Sequence, residues 1–156
     1  MNFYSSEQAI AFAFKTRDKS IVSQSNNVYS VKERFRHDED KLSPYDFHAQ
    51  SALILNFINR QEVFEILWAY WAYGNSSEKE VSAKQLAQRY GWRYFNLERD
   101  KIYHVMMSRS VRHCARNMSI SNYKAWKYRR KVLSNLSSEE DSLTTKLWEW
   151  LDEKSV

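Results

Sequence analysis

The chain has little with which to turn sharply: two glycines and one proline in 156 residues. Sheet proteins depend on such residues at their many tight turns, so this scarcity excludes a sandwich or barrel and points to helices joined by polar connections. A single cysteine, Cys114, excludes an intrachain disulfide and any zinc cage of paired thiolates. No run approaches the roughly eighteen apolar residues of a membrane-spanning helix. The opening MNFYSSEQ lacks the charged start and apolar stretch of an export signal. A cytoplasmic protein with no membrane association is expected. Catalytic signatures are missing too: there is no glycine-rich phosphate loop, no G-x-S-x-G, no H-E-x-x-H and no paired-carboxylate motif. His37, His48, His104 and His113 are scattered, and His37-Asp38-Glu39-Asp40 reads as a solvated polar loop. A non-enzyme without metal or cofactor is expected.

The most informative absence is of acids, since no Asp or Glu occurs from Lys101 to Ser138. That window holds Lys101, Arg109, Arg112, Arg116, Lys124, Lys127, Arg129, Arg130 and Lys131, whereas residues 139–156 carry six acids against two lysines. The formal charge of +5 is modest. Its segregation matters more, because a one-signed face raises the local potential and attracts phosphate. Nucleic acid is the leading candidate partner.

What remains is enough to fold: 43% of the residues are hydrophobic and 15% aromatic, sufficient for the core of one ordinary domain. A first helix is expected from Ser5 or Ser6, where Ser5 and Gln8 have capping-box spacing, through Phe14. Asp18 to Leu42 reads as a long polar loop. A second helix opens at Ser43 with Pro44 in its first position and Asp46 completing the box. A third, nearly encircled by apolar residues, runs from Gln61 to Tyr73 and stops at Gly74 as a left-handed cap. Gly74 to Glu80 reads as a connection. Ser121 or Asn122 caps a later helix and Ser137 or Ser138 a last one, with Glu139, Glu140 and Asp141 at the positive end of its dipole.

Between these lies SAKQLAQRYGW, Ser82 to Trp92, with the spacing of the first helix and turn of a helix-turn-helix. Ala87 is small where a second helix would cross, and Gly91 stands four residues later, where the turn often adopts positive φ. Leu86 and Tyr90 would face the core, Ser82 would cap with Gln85 three residues on, and Leu97 would anchor the second helix. Asp100 departs from the pattern, and Ile102 and Val105 fit a second helix that starts later. In the simple alignment Arg93, Tyr94, Asn96 and Arg99 lead into the groove, with Arg93 and Arg99 the strongest candidates for base or phosphate contact. A long basic helix is then expected to about Met118. It would carry Arg109, Arg112 and Arg116 on one stripe, with Met107, Val111, Cys114 or Ala115, and Met118 opposite. Tyr123, Trp126 and Tyr128 interleave with Lys124, Lys127, Arg129, Arg130 and Lys131, a pattern suited to phosphate contacts, with Trp126 itself expected in the core.

With these motifs located, Val81 to Met107 resembles the DNA-binding helices of sigma-factor region four and of small phage transcription regulators. DFHAQSALILNFINRQ, Asp46 to Gln61, is similar to a helix of small prophage late-region proteins. The resemblance implies a phage late-gene antiterminator of the Q type. Such a protein would bind promoter double-stranded DNA through Ser82 to Gly91 and Arg93 to Arg99, contact a paused RNA polymerase and travel with it, in a bacterial or phage-infected cytoplasm. Its polymerase-facing surface would draw on the Asp18 to Leu42 loop and the Trp148 to Leu151 helix. The zinc that some such proteins hold between cysteines is excluded here.

The expected architecture is therefore an all-α, single-domain bundle of about six helices containing a helix-turn-helix. Residues 1–42 would form an N-terminal helix and polar loop, 43–118 the core helices with the reader at about 82–105, and 119–156 the C-terminal helices. The expected function is a sequence-specific DNA-binding transcription regulator. The alternatives are a dimeric repressor or activator, and a protein-binding inhibitor or adaptor whose surface includes Trp68, Trp71 and Trp150.

Overall fold

The computed structural model describes residues 2–19, 44–91 and 98–154. The expected loop after Lys19, the Ser43 cap, the His37 to Asp40 cluster, and Arg93, Tyr94, Asn96 and Leu97 lie outside them. Every regular element among the described residues is a helix, so these residues are all-α as expected. In order these are α1 (Ser6–Arg17), α2 (Pro44–Asn59), α3 (Val63–Tyr73), α4 (Ser76–Tyr90), α5 (Arg99–Met107), α6 (Val111–Met118) and α7 (Asn122–Lys154). No helix among them is long and apolar enough to cross a membrane. The chain groups into two compact units, residues 1–60 with 147–156, and residues 61–146.

In the first unit α1 begins as its sequence suggests: Ser5 Oγ accepts the Gln8 amide at 3.1 Å, while Gln8 Oε1 accepts the Tyr4 amide at 2.7 Å. One orphan amide of the first turn, that of Gln8, is thereby satisfied, together with the Tyr4 amide just ahead of the helix. Ala9, Ile10, Ala13 and Phe14 recur at helical spacing and are buried, and α1 packs on α2, whose Ile54, Leu55 and Ile58 are buried in turn. Burying each of these isoleucines contributes about 1.5–3 kcal/mol before chain entropy is subtracted. The Ser51 hydroxyl donates to the Ala13 carbonyl at 2.6 Å, a buried polar link between the two helices. Phe12 touches both Phe3 and Phe47, and Phe57 packs on Trp150 with ring centroids 5.0 Å apart.

The second unit is built on an α3–α4 corner. Gly74 closes α3, but its backbone is extended, with φ −69° and ψ 172°, rather than left-handed. Glycine is needed there for room: a Cβ would collide with the Tyr70 carbonyl oxygen and lie 2.9 Å from Glu78 Cβ. Asn75 then caps α4 in a reciprocal box with Glu78, the two bonds measuring 2.9 and 3.1 Å. The expected connection to Glu80 is thus mostly helix. Ser82 is not a cap but a buried residue in the middle of α4. The stronger box upstream, Asn75 to Glu78, starts the helix first.

Two further boundaries differ from expectation. The basic helix expected after the reader is short: Ser108 to Ser110 separate α5 from α6, which covers only Val111–Met118. Ser110 Oγ caps α6 by accepting the His113 amide at 3.1 Å, and the Arg109 amide donates to His113 Nδ1 at 3.2 Å. Conversely, the two expected C-terminal helices are one. Nothing between Asn122 and Lys154 is glycine or proline, and the Ser137 and Ser138 hydroxyls donate back to the Ser134 and Asn135 carbonyls instead of capping a new start. Ala125, Val132, Leu136, Leu143, Leu147 and Leu151 form the buried stripe of α7.

Within the second unit α7 is held to α3 by an ion pair. Glu65 is fully buried, accepting from Lys146 Nζ at 2.7 Å and from the Ser142 hydroxyl at 3.3 Å. The hydrogen bond it donates to Glu65 holds the Lys146 ammonium above the ordinary lysine range, outweighing partial desolvation. Trp71 Nε1–H donates to the Met106 carbonyl at 2.9 Å, fixing α3 against the end of α5.

Candidate nucleic-acid interface

The expected reader is described only in part. Leu86 and Ala87 on α4 are buried, as their proposed roles require. Gly91 is also buried, and its φ of −34° and ψ of −100° are not the positive-φ turn anticipated. Helix α5 begins at Arg99 and buries Ile102, Val105 and Met106, the later-starting frame. Its outward side is not simply basic. Arg99 and Asp100 are both exposed. Lys101 is 3.6 Å from Glu98 and lies over the Tyr128 ring at 5.3 Å. The Tyr103 hydroxyl donates to Glu80 at 3.4 Å, and Glu80 also pairs with Lys84 at 3.0 Å.

The remaining cations sit on or beside α6 and α7. Arg109 is exposed in the connection before α6, and Arg112 and Arg116, one turn apart on α6, are exposed while Cys114 and Ala115 between them are buried. On α7 Lys124, Lys127, Arg130 and Lys131 are exposed, on positions that alternate with the buried Ala125 and Val132. Arg129 does something else: its guanidinium donates to the Ser108 carbonyl at 3.0 Å, binding α7 to the break between α5 and α6. Sequence reasoning grouped it with the phosphate contacts because neighbours in sequence look alike. On a helix, Arg129 and Arg130 diverge by about 100°, which puts one inward and one outward.

Trp126 corrects a second expectation. It is 44% exposed rather than buried, and Tyr123 is 66% exposed. Their rings stack with centroids 6.1 Å apart at 25°, with Lys127 Nζ 5.7 Å from the Tyr123 centroid and the Arg130 guanidinium 5.2 Å from that of Trp126. The signal was legible in phase, since Trp126 falls about 100° round α7 from the buried stripe of Ala125, Val132 and Leu136. The aromatic surface of the protein-binding alternative is largely withdrawn: Trp68 is 4% exposed, and Trp71 and Trp150 are half-buried.

The charge order along α7 runs against helix physics. Lys124 lies in the first turn, where no acid is present, and the acids gather beyond Ser138. A helix dipole favours the reverse by about 0.3–1 kcal/mol per charge near each end. Lys124 therefore does not serve helix stability; it adds to the positive N-terminal potential and makes that end attractive to anions. No protein-family model matches the sequence, and no curated protein matches it.

Proposed function

We propose that this protein is a DNA-binding transcription regulator whose α6 and α7 cations grip the phosphate backbone. The reading rests on one observation: exposed Arg112, Arg116, Lys124, Lys127 and Arg130 lie in a stretch without a single acid, and two of them, Arg112 and Lys124, stand in first turns where the helix dipole penalises a cation. Sequence preference would come from the α4–α5 region, with Arg93, Tyr94, Asn96 and Arg99 as the reading residues. The resemblance to phage regulators specifies the form, an antitermination factor acting with RNA polymerase.

Fluorescence anisotropy on labelled duplex tests the proposal. With about six phosphates neutralised, the logarithm of the binding constant falls with log salt at a slope near about −5. Arg112→Glu with Arg116→Glu weakens binding to every duplex alike, whereas Arg99→Ala alters preference among sequences. Binding that is absent at low salt, or indifferent to salt, refutes the reading.

A further inference from the structure

We propose that Tyr123 and Trp126 form a stacking platform for unpaired bases of a DNA strand, with Lys127 and Arg130 meeting the phosphates on either side. The inference rests on the DNA-binding reading and deepens it by naming a second form of ligand. Two large rings stand outward on successive turns of α7, stacked on each other, 66% and 44% exposed, and each has a cation over it. Two adjacent exposed rings form a flat apolar surface suited to a stacking partner. The surrounding charge selects which one. Acid-free sequence from Lys101 to Ser138 disfavours a cationic or neutral protein surface and favours a phosphate-bearing ligand.

The rings then decide between paired and unpaired nucleotides. In a duplex the π-faces are covered by neighbouring bases and only base edges are presented in the grooves. A ring pair flanked by Lys and Arg gains little from such a surface. An unpaired strand offers π-faces with a phosphate at each step, and base–aromatic stacking works with any base. Lys127 and Arg130 rest on the rings in the free protein and exchange that contact for phosphate when a base arrives.

The test uses the full chain and anisotropy on three probes: a single-stranded oligothymidylate, a random duplex and an oligouridylate. Tyr123→Ala with Trp126→Ala should weaken oligothymidylate binding on the order of tenfold or more while leaving duplex binding nearly unchanged. Trp126→Phe, which keeps a ring, should retain most of the affinity. Thermal melting checks that the exposed substitutions leave folding intact. An equal loss on single strand and duplex, or no loss, overturns the platform. Tighter binding to oligouridylate than to oligothymidylate overturns the assignment to DNA. Duplex binding without single-strand binding sinks this inference alone, whereas binding to no probe sinks the function proposed above with it.

Discussion

Replacing Lys146 by methionine should destabilise the protein more than replacing Lys146 and Glu65 together. Glu65 has 1% of its side chain exposed and Lys146 42%, so the pair is buried on one side only. Removing the lysine leaves a carboxylate in the interior with the Ser142 hydroxyl as its remaining side-chain donor. Breaking a fully buried pair in this way costs about 3–5 kcal/mol, and the solvent reaching Lys146 lowers that to about 2–3 kcal/mol. Glu65→Gln keeps the shape and one acceptor and should cost about 1 kcal/mol. Glu65→Leu with Lys146→Met removes both charges and should lie near the wild type. Urea unfolding of the four proteins, at unchanged slope, reads the coupling. The pH dependence has a definite sign. Because the Lys146 pKa is raised by folding, its contribution is complete below about pH 10.4 and is lost as pH rises through the folded value. The gap between wild type and Lys146→Met should therefore stay constant from about pH 6 to 10 and close only as pH rises beyond about 10.4. A Lys146→Met penalty under about 0.5 kcal/mol would show that the pair behaves as a solvated surface contact and would refute the reasoning.

Two other substitutions separate mechanisms that look alike in the sequence. Gly74→Ala should cost about 1–3 kcal/mol in chemical denaturation, and Gly74→Asn no less, because the obstacle is space beside Tyr70 and Glu78 rather than φ. A tolerated asparagine, as at left-handed caps, would contradict this. Arg129→Ala should cost about 1–2 kcal/mol through the lost bond to the Ser108 carbonyl. Arg130→Ala should leave the melting temperature almost unchanged and weaken DNA binding.

The sequence alone determined the helical class, through its two glycines and one proline, and the start of α1, through Ser5 and Gln8. It also determined the acid-free window, because charge and capping depend on residues within a turn or two of each other. It misplaced what depends on distant partners. Ser137 looks like a cap until its hydroxyl turns back along an unbroken helix. The α5–α6 break carries a bond from Arg129, 21 residues on. Glu65, an acid in an otherwise apolar helix, becomes explicable only with Lys146, 81 residues on. The outward position of Trp126 follows from which side of α7 buries Ala125, Val132 and Leu136. Composition and spacing specify that the chain forms helices, but tertiary packing chooses the face each one buries, and with it which cations and rings are left for a ligand.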